Sequence, residues 1–305
     1  MPVTARKPRL GFLAVGWIGR SRLAAVAASG VAEIGPVADP ALPEALDTLD
    51  ELLEAELDGI VIATPSALHV QQAIAALERG LPVFCQKPLG RTAAETRAVV
   101  ETARRVDRLL GVDLSYRYVE AFRVAREVVG SGELGEIVAA ELVFHNAYGP
   151  DKSWFYEREL SGGGCLIDLG VHLVDLAVWM LDLEPDRVTS RLHGEPVEQF
   201  ATAELDHVRL ACSWNLHAGR DAVIEAAVYG ADGAVAVRNV RGSFYDFRCE
   251  RHRGTSSETL VEPPDDWGGR AAVEWASRVA RGDRFDEAAE EYVRVAAILD
   301  RIYAR

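Results

Sequence analysis

The first third of the chain alternates short apolar runs with stretches of helical periodicity. Leu10–Val15 is a continuous apolar run of the kind a buried parallel strand needs. It leads through Gly16-Trp17-Ile18-Gly19 into Arg20–Ala28, which reads as a helix. Ile34–Ala38 and Gly59–Ala63 repeat the strand signature, and Leu68–Arg79 places Val70, Ile74 and Leu77 on one helical face. Pro82–Cys85 adds a strand, and the alternation continues through Arg105–Val112. Strand and helix in this order predict an α/β domain with a doubly wound parallel sheet. Between Asp39 and Gly59 only Thr48–Leu57 has a helical pattern, so the helix after the second strand is expected to be missing or shortened.

Beyond the first third the period changes to two. Ile137–Phe144, Val188–His193, Ala203–Trp214, Ala222–Tyr229 and Gly242–Glu250 read as strands, and Arg270–Ala280 and Asp286–Arg305 as helices packing back on the core. A length of 305 residues fits two domains at about 150 residues each. We place the boundary near Tyr116, giving a first domain over 1–116 and a second over 117–305.

Charge narrows the partners. With 33 basic and 47 acidic residues the net charge is -14, a field that opposes nucleic acid and anionic membrane surfaces. No uninterrupted apolar run approaches the roughly 18 residues of a membrane span. Arg6, Lys7 and Arg9 before Leu10–Ile18 imitate a secretory signal, but a first strand and its turn explain the same residues. Cys85, Cys165, Cys212 and Cys249 stand singly, without zinc spacing, as reduced thiols of a cytoplasmic protein do. No metal is expected.

Strand, glycine turn and helix form the context in which a G-x-G-x-x-G pattern binds a dinucleotide. Here it reads Ala14-Val15-Gly16-Trp17-Ile18-Gly19. Alanine takes a positive φ only at a cost, so Ala14 is expected in an ordinary backbone conformation. Asp39 ends the second strand twenty residues after Gly19, where a carboxylate accepts the ribose hydroxyls of NAD and repels the 2′-phosphate of NADP. Gly16, Asp39, Thr64 and Lys87 all fall at strand ends, where ligands of such sheets bind.

The second motif is Gly162-Gly163-Gly164 followed by Asp168 and His172 on a helical pattern running to Leu181. Asp168 and His172 stand four apart and share a helix face. One reading has them satisfy each other structurally. The other makes His172 the acid–base that exchanges a proton with a substrate hydroxyl, oriented by Asp168, with Lys87 as a donor near the reacting oxygen.

Thr64-Pro65…His69, Cys85-Gln86-Lys87-Pro88 and Gly162-Gly163-Gly164…Asp168…His172 together resemble the Gfo/Idh/MocA oxidoreductase family. The resemblance extends through Tyr116-Arg117-Tyr118, Gly132…Gly135, Tyr229-Gly230…Gly233 and Ile302-Tyr303. It implies an N-terminal Rossmann domain and a C-terminal α/β domain with a large, open, mostly antiparallel sheet. It implies NAD or NADP chemistry on sugars, cyclitols and related polyols, with Lys87, Asp168 and His172 as the catalytic trio. It also implies a homodimer or homotetramer through the C-terminal sheet. Cofactor contacts are expected from Ala14, Gly16, Trp17, Ile18, Gly19, Asp39, Thr64, Pro65, His69, Gln86 and Lys87. Substrate contacts are expected from Lys87, Tyr116, Arg117, Trp154, Asp168 and His172, with His217 a weaker candidate. Trp154 belongs to a polar–aromatic loop that begins at His145.

Two departures stand out. Gln86 replaces the glutamate of the family's E-K-P motif, removing a carboxylate beside Lys87, and the Asp39–Gly59 segment is short. NADP therefore stays open as an alternative cofactor. Two other functions also stay open: a non-catalytic sensor of NAD(P) or sugar, and a glycosidase that uses NAD transiently.

Overall fold

A left-handed residue ends the first strand and sets the dinucleotide turn. In the computed structural model, which describes residues 6–305, β1 (Arg9–Leu13) is followed by Ala14 at φ 64° and then by α1 (Trp17–Ser29). The expectation of an ordinary conformation at Ala14 is corrected. Long-range hydrogen bonds override the local preference: the Ala14 N–H donates to the Ala38 carbonyl at 2.8 Å, and the Ala63 N–H to the Leu13 carbonyl at 2.8 Å. The Ala14 carbonyl then faces Gly19, where a Cβ would stand only 2.3 Å from it. Glycine at 19 is therefore obligatory for this close approach.

The chain divides into two compact units. The first comprises the chain through Gly90, Ala94–Asp113 and Gly268–Val293. Its elements continue with β2 (Glu33–Ala38), α2 (Leu49–Leu53), β3 (Gly59–Ile62), α3 (Ser66–Glu78), β4 (Val83–Cys85), α4 (Ala93–Val106) and β5 (Leu110–Val112). The strands form a parallel sheet in the order β2-β1-β3-β4-β5. Between β2 and β3 no full helix forms. A single parallel bridge, Ala38 to Leu46, stands where a further edge strand would pair, and α2 follows with Thr48 and Glu51 closing a capping box. Pro36 fits β2 because that strand lies at the edge and needs no complete ladder on its outer side.

The second unit comprises Arg91–Ala93, Leu114–Trp267 and Arg294–Arg305. It contains α5 (Glu120–Gly130), β6 (Ile137–Asn146), α6 (Arg158–Ser161), α7 (Val171–Leu181), β7 (Val188–His193), β8 (Phe200–Leu205), β9 (Val208–Ser213) and β10 (Ala222–Gly230). Then come β11 (Ala234–Asn239), β12 (Phe247–Arg253) and β13 (Ser256–Val261). The sheet order is β13-β12-β11-β10-β6-β9-β8-β7, antiparallel throughout except for β6 beside β9. Ala140, Leu142 and Phe144 of β6 are buried, while on its other face Glu141 is exposed and Val143 half-buried, the signature of a half-covered sheet. The apolar run Arg158–Leu181 is 24 residues long and apolar enough to cross a membrane, but 83% of its most apolar stretch is buried within this unit.

Three expectations are refined. The run Ala203–Trp214 is a hairpin rather than one strand, turned by Asp206 at φ 55°. Strands β11 and β13 are additional. The helix α8 (Arg270–Arg281), placed by the sequence in a continuous second domain over 117–305, belongs to the first unit. Its Trp275, 3% exposed, packs on Phe84 of β4 with ring centroids 5.7 Å apart. The last helix, α9, spans Glu290–Tyr303.

Because Ala14 holds a conformation worth roughly 1 kcal/mol of strain for a non-glycine residue, Ala14→Gly should leave stability unchanged or raise it by up to ~1 kcal/mol. Ala14→Val should lower it by about 1 kcal/mol or more. Urea denaturation of the two variants reads both effects, and a glycine variant weaker than the parent by more than ~1 kcal/mol contradicts the assignment.

Candidate active site

In the first unit a geometry suited to phosphate is assembled from backbone. Gly16 caps α1 without any side-chain bond to the helix, so the first-turn N–H groups and the positive helix end are not claimed by a capping side chain. Trp17 is 74% exposed beside them and Ile18 half-buried. Asp39 is buried, and both carboxylate oxygens are held: Oδ2 accepts the Val15 N–H at 2.8 Å and Oδ1 the Ala41 N–H at 3.0 Å. Each oxygen keeps a second lone-pair direction for a hydroxyl. An uncapped helix start, a close-packed Gly19 and a fixed carboxylate at the end of β2 fit the pyrophosphate and ribose of a dinucleotide.

The ends of β3 and β4 are tied by His69, not left open to a ligand. His69 is 1% exposed, with Nδ1 2.7 Å from the Pro88 carbonyl and Nε2 2.8 Å from that of Thr64. Burial, with a smaller contribution from Lys87, holds its pKa below the usual value. The expected cofactor contact at His69 is thus corrected: the ring is buried between the two strand-end loops, and in its neutral form its single N–H donates to one of the two carbonyls. Thr64 and Pro65 are half-buried, and the Thr64 hydroxyl donates to Gln72 at 2.6 Å.

Gln86 is also withdrawn from the surface. Its amide donates to the Asp113 carboxylate, which is 1% exposed and paired with Arg22 at 2.6 Å. Arg22 donates in addition to the Gly268 carbonyl. Lys87 follows at half-burial, joined to Pro88 by a cis peptide bond.

In the second unit the glycine run is dictated by one close approach. A Cβ on Gly164 would stand 1.9 Å from the Glu198 carbonyl oxygen. The Glu198 carboxylate, 2% exposed, accepts the N–H of Gly164 at 2.7 Å, that of Leu166 at 3.2 Å and the Tyr303 hydroxyl at 2.6 Å. The Tyr303 oxygen in turn accepts the Ile167 N–H at 3.1 Å. Glu198 and Tyr303 therefore cap the start of the site helix, where the dipole also favours a negative charge. The first turn, Leu166–Gly170, is π-helical, a wider turn frequently found at functional sites, and α7 continues from it.

Asp168 lies in that π turn, where its Oδ2 accepts the Trp214 indole N–H at 3.1 Å. His172, in the first turn of α7, is 8% exposed and meets the Tyr116 ring edge-on, with centroids 4.9 Å apart. Tyr116 itself is 7% exposed among Phe122, Phe144, Phe247 and Trp267. Expected as a pocket wall, it instead supports His172 from within the core, and burial pushes its hydroxyl pKa well up. Arg117, expected as a substrate contact or a structural ion pair, makes a forked ion pair with buried Asp175 at 2.5–3.1 Å.

Trp154 stays half-buried, stacked on Phe155 at 3.8 Å, and Phe155 and Tyr156 lean edge-on against Trp214. The aromatic segment thus rests on the residue that holds Asp168. His217 is exposed, and His145 bonds Ser213 at 2.8 Å. Trp214, Glu198, Arg22 and Asp113 support the candidate site although no sequence motif singles them out, and Tyr303 enters the sequence reading only through the closing Ile302-Tyr303 pair.

Two family models match the chain. The oxidoreductase family with an NAD-binding Rossmann fold covers residues 3–114, and the GFO/IDH/MocA C-terminal domain covers 122–236. The chain is 31% identical over 215 residues to the rhizopine catabolism protein MocA of Rhizobium meliloti, spanning 67% of each. It is 34% identical over 131 residues to D-glucoside 3-dehydrogenase of Escherichia coli (strain K12), spanning 43% of this chain and 37% of that protein. Among solved structures, levoglucosan dehydrogenase in complex with NADH superposes with a TM-score of 0.84 at 19% identity, covering 97% of this chain and 96% of that one. GenD2 from gentamicin A biosynthesis, in complex with NAD, gives 0.83 at 22% identity, covering 98% and 94%. These structural likenesses establish the fold.

A hydrogen bond to a charged carboxylate contributes about 1.5 kcal/mol at the lower end of its range, which suits half-buried Asp168. A double-mutant cycle of Trp214→Phe with Asp168→Ala, read by denaturant unfolding, should give a coupling of that size. Additive effects would contradict the contact.

Proposed function

The chain belongs to the GFO/IDH/MocA oxidoreductase family, and we propose that it interconverts a secondary alcohol and a ketone on a neutral sugar, cyclitol or related polyol. The observation that carries this reading is the fixed carboxylate of Asp168, held by Trp214 one turn ahead of His172 on the same helix. The nicotinamide, when bound, accepts or donates the hydride. His172 takes the proton from the substrate hydroxyl in oxidation and returns it in reduction. Asp168 orients the imidazole from the preceding turn. Lys87, beyond the end of β4, donates a hydrogen bond to the oxygen whose charge changes during transfer. Half-buried Trp154 offers the flat apolar surface against which the C–H face of a sugar ring packs.

NAD is the favoured cofactor. Asp39 is fixed by Val15 and Ala41, so it cannot swing aside for a 2′-phosphate, and the reduced segment after β2 brings no arginine to receive one. The named relatives support a carbohydrate substrate: one is a D-glucoside 3-dehydrogenase and another an inositol 2-dehydrogenase. The net charge of -14 favours a neutral polyol over a phosphorylated one. We further assign self-association to the uncovered face of the eight-stranded sheet, which light scattering tests.

Thermal unfolding with each cofactor separates the two nucleotides, since a ligand at 100 times its dissociation constant adds about 2.7 kcal/mol. NAD should raise the midpoint more than NADP at equal concentration; a larger NADP effect would reverse the cofactor assignment.

Turnover is then measured with D-glucose, methyl D-glucoside, levoglucosan and myo-inositol. Lys87→Ala and His172→Ala should each lower kcat by about 10²–10⁴ while NAD still binds. Full activity in both would sink the mechanism. NAD binding without any absorbance change on the panel would favour a sensor, and sugar release from an aryl glycoside without net NADH would favour a glycosidase.

A further inference from the structure

The loss of the glutamate at position 86 is compensated inside the same unit. Three polar side chains from three elements meet in the core: Arg22 of α1, Asp113 directly after β5 and Gln86 directly after β4. Their exposures are 6%, 1% and 7%. Arg22 Nε donates to Asp113 Oδ2 at 2.6 Å, and the Gln86 amide donates to the same oxygen. One cation, one anion and one neutral amide give a buried group with no net charge.

A glutamate at 86 would press a second carboxylate against Asp113 in a site with one guanidinium, and two carboxylates sharing such a site cannot both ionise cheaply. Gln86 and Asp113 are therefore a matched pair, in which the carboxylate stands on the β5 side and the carboxamide on the β4 side.

Main-chain bonds fix the strands around this group. The Gln86 N–H donates to the Ile62 carbonyl at 2.9 Å and the Asp113 N–H to the Cys85 carbonyl at 2.9 Å. The side-chain network adds what these ladders lack, a direct link from the Lys87 segment to the helix that begins at the dinucleotide turn. Arg22 lies on α1 only six positions after Gly16.

We propose that Arg22, Asp113 and Gln86 are positioning residues that hold the Lys87 segment in register with the dinucleotide-binding end of α1. The inference rests on the proposed action of Lys87 on the substrate oxygen. It makes the two tasks interdependent: loosening the network misplaces Lys87 and weakens the nucleotide grip together.

The test exchanges the two groups. Asp113→Asn, Gln86→Glu and the double variant Gln86→Glu/Asp113→Asn are compared with the parent. Melting temperature, NAD affinity by calorimetry, and kcat and KM on the most active sugar of the four-compound panel are measured. Each single change should lower kcat at least tenfold with KM changed by less than threefold, and should weaken NAD at least fivefold.

In the exchanged protein the charge balance survives. The buried group again holds one guanidinium, one carboxylate and one carboxamide, with no second carboxylate to compete for Arg22. Both kcat and NAD affinity should return to within about threefold of the parent. Asp113→Asn with parental kcat and NAD affinity overturns the proposal. So does a double variant that fails to fold, or one no better than Gln86→Glu alone. If Asp113→Asn fails to fold by itself, recovery in the double variant decides. A parent protein inactive on all four sugars would sink the functional reading instead, leaving the NAD affinities to judge the network.

Discussion

The hydrogen bond from the Val15 N–H to Asp39 joins the two halves of the candidate nucleotide site. It ties the turn after β1 to the carboxylate that ends β2, while Ala14 is pulled into a left-handed conformation by its own bond to Ala38. With the turn fixed there, the Ala14 carbonyl leaves no room for any side chain at position 19, and α1 starts at Gly16 without a side-chain cap. The first unit is organised outward from this point. The chain needs no complete second βα unit for it, because a single bridge from Ala38 to Leu46 suffices to hold the edge.

The second unit solves a parallel problem with side chains. Its site helix must begin inside the core, where uncapped N–H groups would be costly. Glu198 and Tyr303 meet that need, and the π turn that follows carries Asp168 to the Trp214 indole. His172 is braced by Tyr116, whose ring is itself surrounded by aromatic neighbours. Asp168 and His172 are thus held by shells of packing and hydrogen bonding, as the proton transfer proposed for them requires.

Much of this is legible in the sequence because it is local. The run Leu10–Val15 with Gly16 and Gly19, the Asp39 that follows β2, and the Gly162–Gly164 run before Asp168 and His172 all declare themselves by spacing. What spacing does not reveal is non-local. Arg22 and Asp113 are 91 positions apart and Trp214 and Asp168 are 46 apart, so their pairing is set by the fold rather than by any periodicity. Ala14 departs from its local preference for the same reason, since its conformation is imposed by β2. Strand β13 gives no signal because Ser256–Thr259 are exposed and polar, with no buried face to create alternation. The hairpin of β8 and β9 reads as one strand because its turn, Asp206-His207, contains neither glycine nor proline.

In the proposed reaction this chain moves a hydride between a polyol carbon and a nicotinamide while its own side chains move the proton. Isotopic labelling tests it most directly. A panel sugar deuterated at the oxidised carbon is incubated with the protein and NAD, and the reduced cofactor is examined by NMR. Deuterium is expected at C4 of the nicotinamide, in one of the two stereochemical positions. Deuterium appearing in solvent, with no label in the cofactor, would contradict it.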